Sequence, residues 1–149
     1  MAKWPKRAKQ IAALPMRRDD RGRLRVLLVT SRDTGRWVVP KGWPMDDRDP
    51  WEAAAIEALE EAGVEGAVTP APVGTYDYDK RLDDGSPLPC EVTLYPLRVK
   101  RLRDHWKERA ERKRRWFNPL KAASLVDEPQ LRKILKKLAG ADAKEQRAI

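Results

Sequence analysis

The chain has 149 residues, of which 41% are hydrophobic and 37% charged, and its formal net charge is +9. This length suits one domain that buries roughly two-thirds of its unfolded surface. The excess of positive charge indicates an anionic partner, whether nucleic acid, an acidic membrane or a phosphorylated small molecule, and does not choose among them.

The chain begins with predicted strands. Residues 10–16 and 24–32 form two strands around a polar turn at Gly22. Residues 36–40 form a short third strand, which Pro40 ends. The continuous apolar run within the second strand is typical of a strand covered on both faces.

A helix is predicted over residues 50–62, after the turn-forming segment KGWPMDDRD. Asp49 and Glu52 form a capping box at its start. Gly63 stands where a left-handed C-terminal cap is expected. These local signals make the helix the best-defined element of the sequence.

The second half continues with strands and ends with helices. Residues 66–82 and 88–102 are predicted as two strands around the turn DDGSP. Residues 104–116 leave two interpretations open, a charged loop running into a strand at RRWFN or a short polar helix. Helices follow at 119–126 and 128–138. Strands mixed with helices in one short chain predict an α/β or α+β layer fold.

We expect three segments: a basic N-terminal arm (1–9), a single domain (10–140) and a frayed tail (141–149). The only cysteine, Cys90, excludes an internal disulfide and a multi-cysteine zinc site, and predicts a reducing compartment, the cytoplasm. No apolar run approaches the ~20 residues of a membrane span. The basic start has no apolar stretch behind it, so we expect no secretory signal and no membrane partner.

The predicted helix carries three acids on one edge, Glu57, Glu60 and Glu61. At about 100° per residue they occupy one sector, opposite the apolar side, so their oxygens can converge. Hard cations such as Mg²⁺ or Mn²⁺ take all-oxygen sites of this kind. A simply solvated acidic face is the other interpretation. Lys41 and Gly42, just before the helix, favour the first, because cations beside a metal site suit a phosphoanhydride substrate.

From Gly42 to Val64 the chain resembles the Nudix box, the signature of Nudix hydrolases. Six residues stand at the box spacing, namely Gly42, Glu57, Glu60, Glu61, Gly63 and Val64. The segments VLLVTSRDTGRWVVPKG and RRWFNPLKAASLV extend the resemblance over roughly residues 10 to 138, nearest to the diphosphoinositol polyphosphate phosphohydrolases. The resemblance implies the Nudix fold, an α/β/α sandwich with a mixed sheet and the box loop and helix at its site.

The match departs from the box at two positions. Arg48 replaces the first glutamate and Ile56 replaces the arginine, two residues that in the family brace the loop and orient the metal-binding acids. In addition, KGWP stands where the family has GGG before the helix, which adds the cation Lys41 near the expected phosphates. A weaker metal site, or a purely binding Nudix module, therefore stays open beside hydrolysis.

The resemblance implies that Glu57, Glu60 and Glu61 hold one or more Mg²⁺ ions (Mn²⁺ is the alternative). Glu60 or Glu61 acts as the base for water attacking a phosphoanhydride of a nucleoside or dinucleoside polyphosphate or a diphosphoinositol polyphosphate. Glu91 and Asp79 are weaker candidates for a base from a loop. The candidates for substrate binding are Arg18, Arg32, Arg36, Lys41, Gly42, Lys80 and Arg81.

Two further features bear on binding. Trp43, in the loop before the helix, packs on the protein or lines the substrate pocket. Residues 98–115 hold ten Lys or Arg against three Asp or Glu. This stretch is either a solvated face or a surface for a highly phosphorylated ligand or RNA, although no known nucleic-acid module is present.

Overall fold

A mixed β-sheet between helices forms the framework of the computed structural model, which describes residues 7–148. The elements in chain order are β1 (Ala8–Arg18), β2 (Leu24–Thr30), β3 (Trp37–Val38), β4 (Lys41–Gly42), α1 (Pro50–Ala62), β5 (Val64–Val68), β6 (Gly74–Arg81), β7 (Pro87–Leu102), β8 (Arg114–Phe117), α2 (Pro119–Leu125) and α3 (Pro129–Ala148). None of these helices is long and apolar enough to cross a membrane.

Strand β1 organises the sheet. It runs parallel to β7, from Ala8 opposite Cys90 to Met16 opposite Arg98. Its other edge is shared between β4 and β2, both antiparallel to it. The remaining pairs are antiparallel too, with β8 and β3 on β2 and with β5 and β6 on β7. The predicted mixed sheet is confirmed.

Alternate residues of the strands supply two cores. Ala12 and Leu14 of β1 face the core beneath α2 and α3. Ile11 and Ala13 face the core beneath α1. Because successive side chains of a strand point to opposite faces, one apolar strand serves both layers. The predicted α/β/α sandwich is therefore confirmed.

Helix α1 has the bounds predicted from its caps. The Glu52 carboxylate accepts the Asp49 N–H at 3.1 Å, and Gly63 ends the helix at a φ of 66°. The side of α1 that packs on the sheet carries four completely buried alanines, Ala53, Ala54, Ala58 and Ala62. These alanines let α1 lie close to β1, and the close packing fixes the position of its acidic edge.

Three expectations need correction or completion. Residues 66–82 are two strands, β5 and β6, because Pro70 and Pro72 lie between them and lack the N–H that a ladder needs. Of the two interpretations for 104–116, the loop running into a strand is the one found. Lys41 and Gly42, predicted as loop, form the short strand β4.

The two chain ends differ from the predicted arm and tail. Residues 1–6 of the arm lie outside the described residues, and Ala8 and Lys9 already belong to β1. The segment after Gly140 continues α3 to Ala148 instead of fraying. Asp142 holds it in place by accepting from the Arg18 guanidinium at 2.7 Å and from the Leu24 N–H at 3.1 Å.

Candidate active site

The acidic edge of α1, formed by Glu57, Glu60 and Glu61, faces β4 and the loop of residues 103–113. Glu57 lies directly on Gly42 of β4. A Cβ built on Gly42 would be 2.4 Å from the Glu57 carboxylate carbon and 2.5 Å from its Oε1. Only glycine at position 42 leaves room for this carboxylate, which explains why the box glycine and glutamate occur together.

Glu57 and Glu61 form the closest pair of the edge. Their carboxyl groups are within hydrogen-bonding reach, and the pKa of Glu57 is raised to about 7 by burial and then by the charges of Glu61 and Glu60. Burial is the largest cause of the raised pKa in both groups, and the neighbouring acid charges add to it in Glu57. The local field therefore favours a proton or a cation between them.

Glu61 is the buried member, with only 6% of its surface exposed. Its Oε1 accepts the backbone N–H of Lys41 at 3.3 Å, and its Oε2 lies 3.6 Å from Nη2 of Arg112. Burial raises the pKa of Glu61, against the lowering effect of the Arg112 and Lys41 charges. The carboxylate is thus held from two sides by different elements.

Glu60 points away from this pair. Its carboxylate lies 3.5 Å from the Lys107 ammonium and is about one-third exposed. The backbone carbonyl of Glu60 accepts the Glu108 N–H at 3.0 Å, which docks the loop on the helix. Glu60 is therefore open to solvent, in contrast to the buried Glu61.

Glu108 is a fourth acid of the site that the sequence did not single out. Its side chain is 14% exposed and accepts from Nε of Arg112 at 2.8 Å. Its charge raises the pKa of both Glu57 and Glu61. No periodic pattern marks Glu108, because it approaches α1 only through the folding of a loop some 50 residues further along the chain.

The donor chemistry of the edge fits a hard divalent cation. Glu57 and Glu61 offer carboxylate oxygens that meet at one point, and oxygen ligands are what Mg²⁺ and Mn²⁺ prefer. Within residues 7–148, no group of three His, Cys, Asp or Glu side chains has converged into a metal-binding arrangement. The Glu60 carboxylate pairs with the Lys107 ammonium at 3.5 Å.

Two candidate cations lie just across the sheet from the acids. The Lys41 ammonium lies 4.4 Å from the ring centre of Tyr78, and burial lowers its pKa to about 8. Arg36 is paired with Glu128 at 2.9 Å. A cavity of about 250 Å³ opens beside them, lined in part by Arg36, Tyr78 and Glu128.

The other candidate side chains are spread more widely. Arg32 joins the site through Glu108, at 3.8 Å. Lys80 and Arg81 lie at the exposed end of β6, where Arg81 bonds the Gly85 carbonyl. Arg18 is bound to Asp142 and Glu145. It lies six residues along β1 from Ala12, the residue opposite Lys41, which is a distance of roughly 20 Å.

The weaker base candidates and Trp43 are also outside the acid cluster. Glu91 is engaged by Lys9 at 2.6 Å. Asp79 lies on β6 opposite Pro89 and lines the small cavity near Arg36. Trp43 is 44% exposed at the start of the box loop.

A cavity of about 800 Å³ lies elsewhere. We call it the basic groove. It opens where β1 and β7 separate, beyond the Met16–Arg98 pair. Its cationic lining consists of Arg17, Arg18, Arg98, Lys100 and Arg101, and its apolar lining includes Met16, Leu24 and Val99.

Comparison with known proteins gives a consistent picture. The family model described as NUDIX domain matches residues 6–138. Nudix hydrolase 12, mitochondrial, of Arabidopsis thaliana is 35% identical over 106 residues, which are 69% of this chain and 52% of that protein. Human diphosphoinositol polyphosphate phosphohydrolase 3-beta is 30% identical over 115 residues, 76% of this chain and 66% of that protein.

Solved structures share the fold. A binary complex of the C. elegans Ap4A hydrolase superposes with a TM-score of 0.65 at 22% identity, covering 92% of this chain and 98% of that one. The chain spans about half the length of Nudix hydrolases 12 and 13 of Arabidopsis thaliana. Both of these relatives carry the word mitochondrial in their names.

Proposed function

Because this chain belongs to the Nudix family, we propose that it is a Mg²⁺-dependent hydrolase of phosphoanhydride bonds. The substrate class is a nucleoside polyphosphate, a dinucleoside polyphosphate or a diphosphoinositol polyphosphate. The observation that carries the proposal is the meeting of the Glu57 and Glu61 carboxyls on the edge of α1, with Glu57 seated on Gly42.

The acids divide the work. Glu57 and Glu61 hold the cation, assisted by Glu60 once it leaves Lys107. A bound Mg²⁺ or Mn²⁺ neutralises phosphate oxygens and lowers the pKa of an attacking water. Glu60, about one-third exposed, is the favoured base, and Glu61 is the other box candidate.

The nearby cations orient the phosphates. Lys41 and Arg36 lie across the sheet from the acid cluster, next to Tyr78 and Glu128, and Arg32 reaches the loop beside Glu108. Gly42 contributes by admitting Glu57. Lys80 and Arg81 can meet only an extended substrate, since they lie at the end of the β6 hairpin.

Turnover and metal binding test the proposal. The wild type is offered a nucleoside triphosphate, a dinucleoside tetraphosphate and a diphosphoinositol polyphosphate, each with Mg²⁺ and with Mn²⁺. We expect Glu57→Gln and Glu61→Gln to weaken metal binding, measured without substrate by titration calorimetry. We expect Glu60→Gln to weaken metal binding less than the other two variants and to lower kcat by roughly 100-fold or more.

The matched control is Glu52→Gln on the same helix, because glutamine also serves in a capping box. It should leave turnover and metal binding unchanged. No turnover of any substrate by the wild type, or turnover undiminished in Glu61→Gln, would contradict the proposal.

The basic groove supports a second candidate, a non-catalytic module that binds a phosphorylated ligand or RNA. No ion pair within residues 7–147 involves Arg98 or Lys100, so both are available to an anion. Metal-independent, salt-sensitive binding without turnover would favour this function, and metal-dependent turnover would exclude it. The cytoplasmic compartment stays a prediction.

A further inference from the structure

Arg112 occupies a position that the sequence did not distinguish from its basic neighbours. It lies just before β8, and its side chain is only 9% exposed, whereas most cations of residues 98–115 are open to solvent. A buried guanidinium needs partners for its donors, because an unpaired buried charge is costly. Its contacts therefore show what it is placed to hold.

The guanidinium joins three elements. Nε donates to Glu108 Oε1 at 2.8 Å, and Nη1 donates to the Thr30 carbonyl at the end of β2 at 3.1 Å. Nη2 lies 3.6 Å from Oε2 of Glu61 on α1. The planar fork of an arginine suits this task, since each edge of it serves a different acceptor.

Helix α1 supplies no cation of its own for this purpose. The segment Pro50–Ala62 contains no lysine or arginine. Ile56, at the position where the box has arginine, lines a cavity on the β5 side together with Leu59 and Leu97. Lys107 reaches only Glu60, from outside. The acids of the helix must therefore be oriented from another part of the chain.

We propose that Arg112 is the positioning residue that orients Glu61 and Glu108 for cation binding, in place of a cation on the box helix. This inference rests on the proposed function of the same acids. Arg112 is ion-paired with one oxygen of Glu61 while the Lys41 N–H donates to the other, and together they favour one orientation of the carboxylate. Arg112 also lies between Glu108 and Glu61, and its positive charge offsets the repulsion between the two carboxylates.

Loss of a residue that orients metal ligands has an effect of known magnitude on metal binding. Removing the partners that orient metal ligands costs roughly 10- to 100-fold in metal affinity or activity. A residue that instead clamps substrate phosphates would leave metal affinity intact and raise KM. The two roles are therefore separable by measuring metal binding in the absence of substrate.

The experiment compares Arg112→Gln and Arg112→Lys with the control Arg109→Gln. Arg109 is an exposed arginine of the same loop that contacts His105 and Trp106. Mn²⁺ binding is measured by electron paramagnetic resonance of the free ion, and kcat and KM are measured at saturating Mn²⁺. Thermal unfolding without metal checks that each variant is folded.

We expect Arg112→Gln to weaken Mn²⁺ binding by roughly 10- to 100-fold, with KM at saturating metal changing by less than about threefold. Arg112→Lys should recover part of the affinity, because it keeps the charge but loses the fork. Arg109→Gln should match the wild type. If Arg112→Gln does not fold, Arg112→Lys carries the test, with an expected loss of at least about threefold.

Two results overturn the inference. Mn²⁺ affinity that stays within about twofold of the wild type in the folded variants removes the positioning role. A large rise in KM with unchanged Mn²⁺ affinity assigns Arg112 to the substrate instead. A wild type that binds no Mn²⁺ in a Glu57-dependent manner overturns the proposed function itself, which distinguishes the two failures.

Discussion

The acidic edge of α1 and the basic groove are the two strongly charged regions of this protein, and they are built differently. The acids are buried or half-buried, and each is engaged by a specific partner: Gly42 beneath Glu57, Lys41 and Arg112 around Glu61. The cations of the groove are exposed, and Arg98 and Lys100 have no carboxylate partner within residues 7–147.

This difference indicates how each region acts on a charged ligand. Charges held in a low-dielectric setting by fixed contacts interact strongly and with defined geometry, which chemistry requires. Exposed cations on strands interact weakly, are screened by salt and tolerate many anions. Substitutions in the acidic edge should therefore change turnover far more than those in the groove.

The largest effect is expected from Gly42→Ala. The new Cβ would overlap the Glu57 carboxylate, so this end of a flexible side chain must move away from Glu61. We expect turnover to fall by roughly 100-fold, since small misplacements in a site cost about that much. Stability should change by less than about 1.5 kcal/mol, the cost of an off-rotamer side chain.

Gly140→Ala is the matched control for that prediction. Gly140 lies within α3, and nothing is within 4 Å of a Cβ placed on it. Alanine there should raise stability by about 0.5–1 kcal/mol and leave turnover unchanged. Full activity in Gly42→Ala would show that Glu57 does not need its place on β4.

The second effect concerns pH. The pKa of Glu57 is raised from 4.5 to about 7 in the folded protein, so the folded state binds a proton more tightly than the unfolded state. Without metal, stability from this group is full below pH 4.5 and is lost as the pH rises through 7. After discounting for partial exposure, the loss is on the order of 1 kcal/mol, or about 2–4 °C in Tm.

Differential scanning fluorimetry without metal, from pH 4.5 to 8, measures the slope of Tm against pH. Glu57→Gln should flatten it, because glutamine does not titrate, and added Mg²⁺ should raise Tm more at pH 8 than at pH 5.5. A slope that is unchanged in Glu57→Gln would contradict the crowded-acid interpretation of the site.

The helix that carries the acidic edge was predicted well because its signals are local. The caps at Asp49 and Gly63 set the helix bounds, and helical spacing brought Glu57 and Glu61 together. Glu108 and Arg112 were missed, because their meeting with α1 depends on how a loop folds back over a helix 50 residues earlier. The match to the Nudix family, predicted from the box, is confirmed.

The cations were harder to predict than the acids. Whether an arginine reaches the site depends on strand register and on competing carboxylates, and neither is visible in a list of basic residues. Arg32 and Lys41 lie beside the cluster, whereas Arg18 is at the far end of β1, held by α3. Because the tail was predicted to be frayed, the pairing of Arg18 with Asp142 and Glu145 of α3 could not be predicted.

The third prediction is that charge reversal in the basic groove weakens polyanion binding and leaves turnover unchanged. Arg98→Glu combined with Lys100→Glu reverses the two cations that lack partners. We expect turnover of a small substrate to stay within about twofold, because exposed charges this far from the acids are screened. Binding of a single-stranded RNA oligonucleotide, followed by fluorescence anisotropy, should weaken, with its salt slope reduced by about one per cation.

Lys107→Glu is the contrasting variant, since Lys107 lies at the acidic edge beside Glu60. It should leave the RNA salt slope unchanged. If it alters RNA binding as strongly as the double variant, the polyanion surface is the loop of residues 103–113 and not the groove.

The smallest effect is expected from Arg18→Gln, which lies at the rim of the groove. Arg18 is 46% exposed and pairs with Asp142 and Glu145. These pairs raise the pKa of Arg18, and the hydrogen bond to Asp142 is the largest cause. Exposed pairs contribute about 0–1 kcal/mol, so urea denaturation should show a loss within that range. KM should not change, because α3 already occupies this guanidinium roughly 20 Å from the acids. A raised KM would instead mean that substrate extends along β1 to this end of the sheet, and would join the two charged regions into one binding surface.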